Sequence, residues 1–259
     1  MSDNHDKLAI QLAEAWRNGT TIALPTTGPA SRAEAYAIQD KMAAAIGDPV
    51  VGWKVGAAVK AVQFFEGHDG PLPGRVFEDR AFETDGEVSA EFFNGAKVES
   101  EFAIELTEAL SGDGAPITAS DLTGKVVFRP AIELAATRYA PGTGSRGTTT
   151  FDGIADNGTA GAAVIGAAVE NWQDLDFENM TIEARIEDSP PIQAYSGIYR
   201  RHPVDIMAET INDLNQRGIT FEAGMFLLTG SLTLPIPFRK GQTLTVSHGD
   251  HPPLSLKMT

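Results

Sequence analysis

The 259-residue sequence contains no cysteine. This absence excludes disulfides, thiolate metal sites and a cysteine nucleophile, and it is compatible with a reducing compartment. No apolar run approaches the ~20 residues that a membrane-spanning helix needs. The polar start MSDNHDKLAIQ also lacks the basic and apolar regions of a signal peptide. We therefore expect a soluble, cytoplasmic protein with no membrane partner.

Positive charge is scarce. The chain has 20 Lys and Arg against 35 Asp and Glu, which gives a formal net charge of −15. Such an anion would repel a nucleic-acid backbone, so we expect no nucleic-acid partner. A small anionic substrate would be repelled as well, unless local cations or a metal ion reverse the field at its site. The 42% of hydrophobic residues suffices for a substantial core.

The residue composition and the spacing of apolar residues change near residue 49. Before it, apolar residues recur at helical spacing, Ser31 and Glu34 form a capping-box pattern, and Gly47 is a candidate helix end. After it, short runs rich in β-branched and aromatic residues alternate with Gly and Pro, which is typical of strands. We predict an α+β protein with an N-terminal helical part, residues 1–48, and a β-rich catalytic domain, residues 49–259, that form one functional unit.

Two segments of the β-rich part have helical character. One is the alanine-rich run GTAGAAVIGAAVE, and the other is PVDIMAETINDLNQRG, which would end at Gly218. A G-x-G-x-x-G pattern occurs in APGTGSRGTTT, but no clear strand precedes it and no helix is expected after it. We therefore reject a dinucleotide site there and predict a glycine-rich loop that could act as a lid.

The stretch KVESEF places two glutamates two residues apart in a predicted strand. Side chains alternate between the faces of a strand, so Glu99 and Glu101 share one face and apolar residues share the other. That face meets either water or a hard cation such as Mg²⁺ or Mn²⁺. Glu133, in the apolar segment PAIELAATRY, could supply a third carboxylate, or it could pair with Arg138.

Two further polar features interrupt apolar surroundings. Lys54 lies within VGWKVG, where it could contact a substrate carboxylate or move a proton, or simply extend from an edge strand to solvent. The segment from Asp156 to Thr159 precedes the alanine-rich run. It could cap a helix there, or its backbone N–H groups could bind an anion. The five histidines show no metal-ligand spacing.

Five segments in order resemble one known family, the hydratase/decarboxylase branch of the fumarylacetoacetate hydrolase superfamily. This branch includes the 2-keto-4-pentenoate hydratases and the 4-oxalocrotonate decarboxylases of aromatic meta-cleavage pathways. The resemblance covers nearly the whole chain, and the order and spacing of the motifs agree. The matching segments are GWKVGAAVKAVQ at 52–63, ESEF at 99–102, the stretch from PAIE to TR at 130–138, DNGTAG at 156–161 and TGS at 229–231.

This resemblance implies a β-rich roll or barrel behind N-terminal helices, like the C-terminal domain of fumarylacetoacetate hydrolase. It implies that Mg²⁺ or Mn²⁺ binds to Glu99, Glu101 and Glu133 and that a 2-oxo acid chelates the ion. Lys54 would contact the substrate, and a homo-oligomer is expected. The implied substrate-binding residues are Asp156, Asn157, Thr159 and Ser231.

The chain departs from the family pattern at two places. Hydratases commonly carry Pro-Asp-Tyr-Gly, whereas residues 71–74 read PLPG, so Leu72 and Pro73 supply no acid. Ala58 and Val59 replace two hydroxyl residues. The first hypothesis is a lyase of the 2-keto-4-pentenoate hydratase type. The alternatives are a 4-oxalocrotonate-type decarboxylase, an acylpyruvate-type C–C hydrolase with His68 as its candidate base, and a non-catalytic binding or partner subunit.

Overall fold

A computed structural model describes residues 2–83, 86–110 and 115–259 of the protein. Six α-helices lie in this part of the chain: α1 (Ser2–Asn18), α2 (Arg32–Ile46), α3 (Lys60–Glu66), α4 (Ala119–Leu122), α5 (Thr150–Ala155) and α6 (Pro203–Gln216). The strands are β1 (Val50–Gly56), β2 (Leu72–Phe77), β3 (Ala81–Glu83), β4 (Gly86–Val88), β5 (Ala96–Leu106), β6 (Val126–Ala135), β7 (Ala160–Ile165), β8 (Ile182–Ile186), β9 (Phe226–Leu228), β10 (Ile236–Phe238), β11 (Thr243–His248) and β12 (Leu254–Met258).

The strands form two sheets. In the larger sheet the order is β2-β1-β9-β5-β6-β7-β3, and β10 pairs with the first residues of β5. The smaller sheet has the order β4-β12-β11-β8. The long antiparallel pair of β5 and β6 lies at the middle of the larger sheet and carries the residues of the candidate site.

The main core lies between the two sheets. Phe102 on β5 and Phe128 on β6 are buried there, and they meet apolar residues of the smaller sheet such as Leu244 and Leu256. The opposite face of the larger sheet carries small residues where β5, β6 and β7 adjoin, including Ala103 and its neighbours. The aromatic face therefore stabilises the pair of sheets, while the other face leaves room for a site.

The N-terminal helices form as predicted. Ser31 caps α2 by accepting a hydrogen bond from the Glu34 N–H at 3.2 Å, and Gly47 ends the helix with φ of 79°. Both helices pack in a second core against Phe77 of β2. The division of the chain into a helical part, residues 1–48, and a β-rich domain, residues 49–259, stays a prediction. Residue 1 lies outside the described residues. No helix in the described ranges has the length and apolarity that crossing a membrane requires.

The prediction of a helix in the alanine-rich run is wrong. Residues Ala160–Ile165 form β7, all six are buried, and β7 lies between β6 and β3. A strand covered on both faces has no alternation of apolar and polar residues, so the sequence pattern could not distinguish it from a buried helix. The predicted helix that ends before Gly218 is confirmed as α6. A short helix, α5, follows the glycine loop, where none was expected.

Candidate metal centre

Three carboxylates converge on the face of the larger sheet that lies opposite the main core. Glu99 and Glu101 project from β5, and Glu133 on β6 is the cross-strand partner of Glu99. One oxygen from each residue lies within 4.8 Å of the others. Glu101 and Glu133 are each 1% exposed, and Glu99 is half-buried. We call these three residues the glutamate trio; the fold brings them together as predicted.

The chemistry of the trio fits a divalent cation. Glu101 Oε1 and Glu133 Oε2 are buried and have no hydrogen-bond partner among the described residues. A buried carboxylate oxygen without a donor is costly, and native proteins rarely leave one. Clustered carboxylate oxygens are the ligands that Mg²⁺, Mn²⁺ and Ca²⁺ prefer. The residues present therefore fit the metal ion that the resemblance implies.

The electrostatics of the trio point the same way. Burial and the neighbouring charge of Glu133 raise the pKa of Glu99 to about 7. Burial and the charges of Glu133 and Glu99 raise the pKa of Glu101 well above its usual range. Without a cation, the site therefore holds protons that ordinary surface carboxylates would lose.

Lys54 reaches the trio from another strand. Its Nζ lies 3.1 Å from Glu133 Oε1, although β9 and β5 separate β1 from β6 in the sheet. Three strand spacings would span about 14 Å in a flat sheet, so the contact reflects the curl of this one. Burial lowers the pKa of Lys54, but the charges of the trio outweigh this and raise it.

The contact between Lys54 and Glu133 excludes one of the two predicted settings for each residue. Lys54 is 6% exposed on a strand with neighbours on both sides, so it is not an edge lysine extending to solvent. Glu133 contacts Lys54 and not Arg138, because Arg138 pairs with Asp156.

A backbone N–H group that was not predicted from the sequence also contacts the trio. The Gly230 N–H donates to Glu101 Oε2 at 2.8 Å. Gly230 has φ of 96°, and a Cβ there would lie 2.8 Å from the Ala58 Cβ, so only glycine fits without strain. Ser231 follows; its hydroxyl donates to the Thr233 carbonyl at 2.6 Å and lies near enough to Glu99 to lower the pKa of that carboxyl.

His248 supports the trio from behind. Its Nε2 lies 2.9 Å from the Glu101 carbonyl oxygen and 3.2 Å from the Ser100 hydroxyl, on the core side of β5. Burial lowers its pKa to about 4, so the ring is neutral. The sequence analysis gave His248 no role, because nothing local indicated that β11 lies against this strand.

Asp156 and Asn157 make hydrogen bonds within the protein. Asp156 is fully buried and pairs with Arg138. The Asn157 side chain bonds the backbone of Arg75, accepting at 2.7 Å and donating at 2.9 Å. These bonds hold a single turn of 3-10 helix, Asn157–Thr159, in which all three residues have positive φ. No helix follows this turn, so the hypothesis of an anion at such a helix start is wrong.

An open cavity of about 800 Å³ adjoins the trio. Glu99 and Thr159 lie in its wall, together with the glycine loop around Gly144. Thr159 is therefore near the ligand space, whereas Asp156 is enclosed. The substrate-binding roles of Asp156, Asn157, Thr159 and Ser231 stay predictions.

No protein-family model matches the chain. It is 29% identical over 227 residues to 2-oxo-hept-4-ene-1,7-dioate hydratase of Escherichia coli. The aligned region covers 84% of this chain and 83% of that protein. It is 26% identical to 4-oxalocrotonate decarboxylase of Pseudomonas sp. strain CF600, covering 83% and 81% of the two chains. The solved structure of 4-oxalocrotonate decarboxylase from Pseudomonas putida G7, complexed with magnesium and adipate, has a TM-score of 0.85 at 21% identity, covering 100% and 98%.

These relatives confirm the predicted resemblance. Over most of its length, the chain is similar in sequence to proteins named as hydratases and decarboxylases. The predicted α+β fold, a β-rich roll behind N-terminal helices, is confirmed as well. The prediction of a lyase-type enzyme is confirmed at the level of class, since the named relatives are hydratases and decarboxylases.

Proposed function

We propose that the protein is a divalent-metal-dependent lyase that acts on small 2-oxo or 2-hydroxydienoate acids, most simply by adding water as 2-keto-4-pentenoate hydratases do. The observation that carries the proposal is the glutamate trio, whose buried, unpartnered oxygens face one another beside Lys54. The relatives named as hydratases support the reaction class.

The trio would hold Mg²⁺ or Mn²⁺. When bound, such an ion supplies Lewis-acid chemistry to a chelating 2-oxo acid. The curled sheet buries Glu101 and Glu133, which keeps water away from them and strengthens electrostatic interactions at the site. Half-buried Glu99 faces the cavity, so a substrate would approach from its side.

We propose that Lys54 handles a proton or holds the substrate, because its Nζ lies beside the trio, 3.1 Å from Glu133 Oε1. The neighbouring carboxylates keep its ammonium protonated, as the direction of its pKa shift indicates. Its Nζ could hold the substrate carboxylate or donate a proton to the carbon chain. Gly74 of β2 lies opposite Lys54, and a Cβ there would come within 2.3 Å of the Asn157 carbonyl oxygen and 3.3 Å of the Lys54 Cδ. Glycine therefore lets the turn at Asn157 pack against β2 beside Lys54.

Decarboxylation is the second candidate, and the surroundings of Lys54 favour it. Leu72 and Pro73 pair with Gly56 and Val55, directly beside Lys54, and neither carries an acid. Hydration needs a placed acid or base for water, whereas decarboxylation needs mainly a site that accepts negative charge. For the hydrolase alternative, neither ring nitrogen of His68 has a hydrogen-bond partner in the described part of the chain, so no His–Glu pair supports it.

One assay separates these reactions. The metal-loaded protein is given 2-hydroxypentadienoate and, separately, 4-oxalocrotonate, while diene absorbance and carbon dioxide are followed. Diene loss without carbon dioxide supports a hydratase, and carbon dioxide release supports a decarboxylase. Metal binding without turnover of any tested acid would contradict the lyase proposal and favour a non-catalytic binding or partner subunit.

The remaining parts of the proposal concern its setting. We propose that the protein is cytoplasmic, that its partner is a small-molecule 2-oxo acid rather than nucleic acid or membrane, and that it forms a homo-oligomer. The net charge of −15 supports the exclusion of nucleic acid, and the named enzyme relatives support a small-molecule substrate. The cytoplasmic location and the homo-oligomer are expectations from the sequence and from the resemblance. Size-exclusion chromatography with light scattering tests the oligomer directly.

A further inference from the structure

A lysine stands on the same strand face as the metal ligands. Lys97 precedes Glu99 by two residues on β5, so the two side chains project from the same side of the sheet. Both residues line the cavity of about 800 Å³. Two residues along a strand span about 7 Å, a distance that a short carbon chain can bridge.

Lys97 is the available cation of this cavity. Among the described residues that line it, Arg146 also carries a positive charge, but both of its terminal nitrogens bond Asp152, at 2.6 and 2.7 Å. The lysine ion pairs of the described residues all involve other lysines, and the Lys97 side chain is exposed. Its positive charge also lowers the pKa of Glu99, so the ammonium lies close to the metal ligands. A second anionic group of a ligand would therefore meet a positive charge that no ion pair holds.

The wall between the two charged ends is mostly apolar. It includes Ala135, which is the cross-strand neighbour of Lys97, and Pro237 of β10, which pairs with Lys97 on its other side. Apolar walls suit the carbon chain of a ligand whose two ends are polar. In a protein of net charge −15, a dianion needs a local cation at each end.

We infer that Lys97 binds the distal carboxylate of a dicarboxylic 2-oxo acid whose 2-oxo-acid end lies at the glutamate trio. Lys97 thus selects dicarboxylic over monocarboxylic substrates. The inference rests on the proposed function and narrows its substrate class.

The test compares two substrates of equal chain length, 2-hydroxyhepta-2,4-dienoate and 2-hydroxyhepta-2,4-diene-1,7-dioate. Lys97→Gln should lower kcat/KM for the dioate by about tenfold, which corresponds to the loss of one charge-assisted hydrogen bond. It should change kcat/KM for the monoacid by less than about twofold. Lys97→Arg should restore most of the dioate activity. Lys240→Gln makes the same change of net charge at an exposed site and should alter neither substrate.

An equal loss for both substrates would overturn the inference, because Lys97 would then act only as a general counter-charge to Glu99. A binding measurement keeps this result separate from the fate of the proposed function. In calorimetry with Mg²⁺ present, the wild type should bind 2-oxoadipate more tightly than 2-oxohexanoate, and Lys97→Gln should abolish the difference. Absence of turnover with this preference intact contradicts the proposed reaction alone; absence of the preference contradicts the role of Lys97.

Discussion

Asp156 and the glutamate trio are both buried acidic sites, but the protein neutralises them differently. At Asp156, Oδ1 accepts from Arg138 Nε at 2.5 Å, and Oδ2 accepts from the Thr137 hydroxyl and the Arg138 N–H, each at 2.8 Å. One guanidinium and one carboxylate form a closed pair. This pair links the backbone segments around Arg138 and Asp156. Because both oxygens of the carboxylate already accept hydrogen bonds, the pair is not available to bind a ligand.

The trio has the opposite balance. Three carboxylates share the ammonium of Lys54, the N–H of Gly230 and the nearby hydroxyl of Ser231, and the buried Glu101 Oε1 and Glu133 Oε2 accept nothing. With all groups ionised, two negative charges stay uncompensated, the charge that one divalent cation neutralises. In this protein a buried carboxylate with a full set of hydrogen-bond partners is structural, whereas buried carboxylates that lack partners form the candidate metal centre.

Glu101→Gln should have the largest effect. The substitution keeps the volume but removes one ligand charge, so bound divalent metal should be lost and turnover should fall by about 10³-fold. The metal-free variant should be no less stable than the metal-free wild type, because the neutral amide needs neither a counter-charge nor a bound proton in this buried site. Elemental analysis, kcat/KM and thermal unfolding measure these effects.

Glu105→Gln is the matched control for that change. Glu105 lies on the same strand, but it is half-buried and pairs with Arg129 at 3.0 Å, away from the trio. Its metal content should equal that of the wild type. If Glu101→Gln retains its metal like this control, the trio is not a metal site.

Asp156→Asn should mainly reduce stability. It leaves the Arg138 guanidinium without its counter-charge, and breaking one partner of a buried ion pair costs about 3–5 kcal/mol. Urea unfolding measures this loss, and the metal content of the folded fraction should stay unchanged. A variant of normal stability that no longer turns over substrate would show that Asp156 contacts the ligand after all.

Lys54→Met should lower turnover by about 10²-fold, the usual contribution of a placed proton donor. Metal should be retained or bound more tightly, because the ammonium no longer competes with the ion for Glu133. Titrations of this variant and of Glu101→Gln with the metal distinguish proton transfer by Lys54 from metal binding by Glu101. Equal metal loss in both would make Lys54 a structural residue of the site.

The pH dependence of metal binding should show the smallest effect. Because the pKa of Glu99 in the free site is about 7, an ion must displace a proton below that pH. Affinity should therefore fall as pH drops below 7, by about tenfold per pH unit for each proton that the ion displaces, and the raised pKa of Glu101 adds a second such proton. Calorimetry in buffers of different ionisation enthalpy also detects the released proton. A constant affinity between pH 5.5 and 8 would contradict the raised pKa.

The sequence allowed prediction of the trio because two physical signals coincide there. Alternation on β5 puts Glu99 and Glu101 on one face, and Glu133 interrupts an apolar strand. The resemblance joined these separate segments into one site. The same alternation placed Lys97 on that face, although only the cavity of the folded protein reveals its relation to a ligand.

Other features depend on tertiary contacts that no local pattern encodes. The Gly230 N–H meets Glu101 only because β9 lies beside β5, and His248 reaches the same strand from the other sheet. The closed pair of Asp156 and Arg138 likewise needs the fold to be seen. In β7, alanine favours a helix intrinsically, but burial on both faces overrides this preference.

Diffraction from crystals grown with Mn²⁺, measured at the manganese absorption edge, would show directly whether the trio binds a metal ion. We predict one anomalous peak between Glu99, Glu101 and Glu133, about 2 Å from an oxygen of each. A map without a peak there, or with the three carboxylates turned away from a common point, would contradict it.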